Sequence, residues 1–148
     1  MNENKFESEF FKTPEPPTPK AAEYLAINHE YLKDIYPLHC ATVAEEVAKL
    51  IFEDGHTPQI EMVYQETKNE DGSVKPKGFL PKIYQGKIEP WFSHLVCCTQ
   101  NLAFDPIIGQ PVPKDDYTKL AFGEDINMEV QIFPDELKNN LGIVDNYG

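Results

Sequence analysis

The chain is 148 residues long, 41% hydrophobic and 11% aromatic, which suits one domain with a single core and excludes disorder throughout. Its 13 Lys and Arg stand against 25 Asp and Glu, a net charge of -12, which argues against a phosphate-backbone partner, so no nucleic acid is expected. No apolar run approaches the ~20 residues that span a bilayer, so no membrane partner is expected either.

The N-terminus MNENKFESEFF has no basic start followed by an apolar segment, so the expectation is a cytoplasmic protein, or one exported by a signal-less route. The 3 cysteines contain no CxxC pair, which leaves neither a disulfide framework nor a zinc site. The acidic groups at 69–71, 115–116 and 124–125 lack the spaced oxygen pattern of a calcium loop.

Residues 1–19 are acidic and polar, with prolines at 14, 16, 17 and 19; they read as a flexible tail, and 20–148 as a single domain. A helix is expected over KAAEYLAINHEYLKDI, with Ala22, Leu25, Ile27, His29 and Leu32 on a mixed face and Pro37 as its stop. A second helix opens at or just before Cys40, where Cys40, Val43, Ala44, Val47, Ala48 and Ile51 recur at helical spacing and Gly55 suits the C-terminal cap. In QIEMVYQ, Ile60, Met62 and Tyr64 alternate with polar residues as in a half-buried strand. KNEDGSVKPKG reads as a polar loop with an Asp-Gly turn, and FLPKIYQGKIEP as a short strand broken by Pro81. Two strands follow in SHLVCCTQNLAFDP and a last one in INMEVQIF, while PKDDYTKLAFG and PDELKNN each suit a short helical turn. N-terminal helices followed by a mostly antiparallel β-sheet make an α+β domain.

A hairpin centred between Thr99 and Gln100 sets His94 directly opposite Asp105, on one face with Val96 and Ala103, while Leu95, Cys97, Leu102 and Phe104 share the other. Both faces are largely apolar, so a carboxylate there needs a partner. An imidazole opposite it serves, with its tautomer fixed and its second nitrogen left as a base. A single His–Asp pair of this kind is more often structural than catalytic.

Cys40 bears on that choice. A thiol at a helix N-terminus feels the positive end of the dipole and unpaired amide donors, which lower its pKa and can hold an oxyanion. The same residue also fits the helix's buried stripe as an inert small side chain. Its order in the chain favours chemistry: a nucleophile on the first core helix, then base and acid on two successive strands. His39 points about 100° away from Cys40 on a helix, and His29 and His56 have no partner readable from sequence. Cys97 and Cys98 read as small strand residues, and Phe79, Tyr84, Phe92 and Phe104 mainly as core.

The order Cys, His, Asp resembles the papain/transglutaminase-like superfamily. Trp91 three residues before His94, Asp105 before Pro106, and Pro111-Val112 soon after are similar to the protein-glutaminase (protein-glutamine deamidase) group; the resemblance covers about residues 38–113. The span from His94 to Asp105 is shorter than is usual there, and ATVAEE after Cys40 lacks an expected basic residue or histidine. The resemblance implies a papain/transglutaminase-like core and a thiol hydrolase deamidating glutamine side chains of proteins or peptides. Cys40, His94 and Asp105 would form its triad, the Cys40 amide would help hold the oxyanion, and Trp91 would wall the substrate cleft. It implies no metal and no cofactor, with a protein or peptide as substrate; a monomer is expected. Asn28 is a candidate for a second oxyanion donor. A cysteine protease, a transglutaminase-like acyltransferase or a non-catalytic acidic interaction module of the same fold remain open alternatives.

Overall fold

The computed structural model describes residues 18–35, 40–84 and 89–143. Most of the expected N-terminal tail, the Pro37 stop, His39 and the lead-in to Cys40 lie outside them. The chain forms α1 (Pro19–Ile35), α2 (Cys40–Glu53), β1 (Gln59–Tyr64), β2 (Glu66–Lys68) and β3 (Val74–Pro76). After a 3-10 turn (Lys82–Tyr84) come β4 (His94–Cys98), β5 (Leu102–Phe104), β6 (Val112–Pro113), α3 (Lys114–Phe122), β7 (Asn127–Ile132) and α4 (Pro134–Leu141). Five strands make one sheet in the order β6-β5-β4-β1-β7, with every neighbouring pair antiparallel, so the domain is α+β.

Proline at the first turn of α1 removes a donor that a helix start cannot use. The next two amides, of Lys20 and Ala21, donate to the Asp54 carboxylate at 3.0 and 3.3 Å, so the residue just past α2 caps the start of α1. Among the described side chains of α1, Ala21 and Leu25, one turn apart, are buried, and Leu32, expected on the same face, lies outside that set. Ile27, expected on that face, is 55% exposed, because two residues on from Leu25 is roughly the opposite side of a helix. On α2 the expected stripe holds: Ala44, Val47, Ala48 and Ile51 are buried. Gly55 ends that helix at φ +89°, with the amide of His56 returning to the Ile51 carbonyl.

Both faces of the sheet are covered. Residues of α1, α2 and α4 pack with Ile60, Cys97, Leu102 and Phe104 on one side. On the other, Tyr117, Ala121 and Phe122 of α3, with Phe79 and Tyr84, cover Val63, Val96, Cys98 and Ala103. The strand β1 is therefore central rather than half-buried. Glu61, read as an outward polar position, is 4% exposed on the α3 side, where it accepts from Lys114 Nζ and Gln59 Nε2, both at 2.7 Å.

Three further expectations change. The polar stretch after β1 is not a plain loop but the β2–β3 hairpin, turning at Asp71-Gly72. Phe79 makes only an isolated bridge to Trp91, and the segment after Pro81 winds into the 3-10 turn. The two short helical turns are helices of 9 and 8 residues, α3 and α4, each closed by a left-handed glycine.

Candidate active site

The β4–β5 hairpin pairs Cys97 with Phe104 and Cys98 with Ala103, so its centre lies between Gln100 and Asn101 rather than one residue earlier. Thr99 closes the turn: its amide donates to the Leu102 carbonyl at 2.9 Å, and its hydroxyl oxygen accepts the Leu102 amide at 3.2 Å. This register moves the partners by two residues and preserves the faces. His94 and Asp105 are accordingly diagonal neighbours on one face rather than directly opposite.

Asp105 lies just past β5 and is oriented by its own turn. Its Oδ1 accepts the Ile107 amide at 3.0 Å, and its carbonyl accepts the amides of Ile108 and Gly109 at 3.0 and 3.2 Å. Gly109 sits at φ +93°, where a side chain would be strained and would meet the His29 ring at 3.1 Å. His29, which sequence reading sets aside, donates from Nδ1 to the Pro106 carbonyl at 2.8 Å and so ties α1 to this turn. With its main chain held, Asp105 presents Oδ2 to two donors. His94 Nε2 lies 2.8 Å away, and the Tyr117 hydroxyl reaches it in a short hydrogen bond. Tyr117 is the partner that sequence reading missed, and its one available signal is chemical: a buried phenol on an otherwise polar helix needs an acceptor.

His94 and Asp105 are each 1% exposed, whereas Cys40 is half-buried and is the member of the group that meets solvent. Trp91 stacks on the His94 ring with centroids 4.8 Å apart and planes inclined by 29°, and Phe122 meets it edge-on at 6.2 Å. Trp91 is itself held by paired backbone hydrogen bonds with Phe79 and by edge contact with the Phe79 ring. With Asp105 on Nε2, the imidazole has Nδ1 left to face the thiol of Cys40, with which it is hydrogen-bonded.

The thiol belongs to a helix on one face of the sheet, and the histidine to the other. They meet because β5 ends early. Paired to β5 only from Cys97 onward, β4 leaves its first residues without a neighbour on that side. Into this gap the N-terminus of α2 brings Cys40, whose sulfur accepts the Leu95 amide.

Burial pushes the Cys40 thiol up, but the hydrogen bond and charge of His94 and the Leu95 amide outweigh it, and Asp105 opposes them only in part. The net result is a pKa below the ordinary thiol value. Burial pulls the His94 imidazolium down, and the charge and hydrogen bond of Asp105, with a smaller contribution from Cys40, raise it to about 9. The two shifts run in the directions that favour a thiolate–imidazolium pair. Cys97 and Cys98 behave oppositely. Burial, with Glu61 adding to it, holds both well above the ordinary thiol value.

The structure thus brings together Cys40, His94, Asp105 and Trp91. The Asn28 side chain donates to the Tyr24 carbonyl of its own helix at 2.9 Å, a bond that directs it along α1. Among the described residues no cluster of His, Cys, Asp and Glu is arranged to hold a metal ion, and no helix is long and apolar enough to cross a membrane. Comparison with family models, with curated proteins and with solved structures finds no match to this chain.

Proposed function

We propose that this protein is a cysteine-dependent amidohydrolase that deamidates glutamine side chains of proteins or peptides, built on a papain/transglutaminase-like core. The observation that carries the reading is the contact of the Cys40 thiol with a buried imidazole whose far nitrogen meets a carboxylate. The opposed pKa displacements of Cys40 and His94 support it, as does a thiol open to solvent beside two sealed partners.

In this mechanism the Cys40 thiolate attacks the carboxamide carbon, and the oxyanion forms near the Cys40 backbone amide at the start of α2, one of the donors a helix N-terminus leaves unused. His94, protonated, gives its proton to the departing nitrogen, and ammonia leaves a thioester on Cys40. Neutral His94 then takes a proton from water, which attacks the thioester carbonyl and releases glutamate and the thiolate. Asp105 holds the ring orientation and stabilises the imidazolium through both half-reactions. Trp91, stacked on that ring, keeps bulk water off one face of it.

Incubation with a glutamine-rich polypeptide, following ammonia together with peptide mass, tests the assignment. Wild type should release ammonia and convert Gln to Glu, and Cys40→Ala should lower the rate by about 10⁶-fold, to background. Equal rates for the two proteins would end the enzyme reading. Cleaved fragments would move it to a protease, and cross-linked products to an acyltransferase.

A further inference from the structure

On the sheet face that carries α1 and α2, where the helices leave the ends of β1 and β7 uncovered, lies a groove of about 270 Å³. That is just under the roughly 300–1,000 Å³ typical of a drug-sized ligand's pocket, and close to the room one long side chain needs. Met62, Pro76 and Phe92 supply apolar walls, with Phe92 57% exposed; Glu66, Glu129 and Gln65 supply the oxygens. The Gln65 Oε1 is buried with no hydrogen-bond partner among the described residues, an acceptor that a rotation of its amide presents to an incoming N–H. Tyr64, also on the groove, reports the sign of the local field. Glu129 foremost, and Glu66, push its phenol above the ordinary value.

Apolar walls that end in carboxylates match a side chain with an aliphatic stem and a cationic head. The net charge of -12 draws such chains in from solution. The groove also lies close to the candidate site. Phe92 and Ser93, on its rim, immediately precede His94, and Met62 is paired across the strands with Leu95, whose amide bonds the Cys40 sulfur. Neighbouring strands lie ~4.8 Å apart, so the thiol and the groove floor are on the order of 10 Å from each other, the span of about three extended residues.

We propose that the groove seats a lysine or arginine side chain lying within about three residues of the reacting glutamine in an extended substrate. Its place in catalysis rests on the amidohydrolase reading; its affinity for a basic side chain does not.

Two glutamine peptides that differ only by lysine or norleucine two residues from the glutamine separate these claims. Binding is measured by fluorescence anisotropy to the Cys40→Ala protein, and turnover with wild type. The lysine peptide should bind roughly fivefold more tightly, and show a KM lower by a similar factor at unchanged kcat. Glu66→Gln with Glu129→Gln should erase the difference by weakening the lysine peptide to the level of the norleucine peptide. Salt at 0.5 M should shrink the preference. Equal binding of the two peptides to the Cys40→Ala protein overturns the groove assignment, whatever the activity. A lysine preference in binding without ammonia release upholds the groove and overturns the deamidase instead.

Discussion

At its Cys97–Cys98 end, β4 is paired on both sides, to β1 and to β5, and two adjacent thiols are sealed there with their pKa values pushed far up. At its His94 end only β1 pairs with it, and a third thiol, arriving from a helix, is half-open to solvent with its pKa lowered. One strand thus presents inert and reactive sulfur environments a few residues apart. Sulfur chemistry in this fold follows strand pairing and neighbouring charge rather than the residue type, and burial alone would have raised all three thiols.

The sharpest way to break the contrast is to remove the charge behind the imidazole. Asp105→Asn should lower the deamidation kcat by 10³–10⁴-fold, on the order seen when a triad carboxylate is neutralised. The sign of the accompanying pH shift is fixed. His94 is raised from 6.5 to about 9 largely by Asp105 against burial, so its protonated form, which the proposed mechanism uses to expel ammonia, is lost as pH rises through about 9. In the variant the alkaline limb of the rate profile should move to lower pH. By linkage, the stabilisation that charged His94 gives the fold is fully present below 6.5 and disappears as pH rises through about 9. The variant should therefore lose more Tm at pH 6 than at pH 10, which thermal unfolding at the two values measures.

A second test compares the sulfurs directly. Brief iodoacetamide treatment of the folded protein at pH 7, followed by peptide mass mapping, should modify Cys40 at least about 10²-fold faster than Cys97 or Cys98, because the thiolate is the reacting species. The two strand cysteines should label only after denaturation. Comparable labelling of all three in the folded state would mean that the two ends of β4 do not differ as described.

The smallest expected effect belongs to Tyr117. Tyr117→Phe removes one donor from Asp105 Oδ2 and leaves both His94 and the Ile107 anchor in place. The carboxylate then concentrates on the imidazole, so kcat should fall roughly tenfold while the alkaline limb moves to higher pH, opposite in direction to Asp105→Asn. A merely structural role for Tyr117 would lower stability and leave the limb where it was.

What could be read from the chain, and what could not, follows from the range of each interaction. Which face of the hairpin His94 and Asp105 occupy was legible, because side chains alternate with a period of two and a slip of two residues returns each to its side. The slip itself was not. It depends on Thr99 closing the turn on Leu102 and on the Lys114 amide taking the Asn101 carbonyl, a contact between distant segments. Cys40 at a helix start was legible from apolar spacing, but its seat against Leu95 depends on where β5 stops, which alternation does not encode. Glu61 looked like a solvent position because its partner, Lys114, is 53 residues away. Tyr117 and His29 were hidden for the same reason, since each holds the site through a hydrogen bond to a residue distant in sequence.

The short β5 carries a last consequence. The amides of Thr99 and Leu95 point to the same side of β4, and Thr99 donates to Leu102 of the partner strand. At Leu95 the Cys40 sulfur stands where a carbonyl of a longer β5 would be. Cys40 therefore also stoppers a sheet edge, and in the proposed mechanism its acylation would loosen the stopper. Amide hydrogen exchange at Leu95 would register each turnover from inside the backbone.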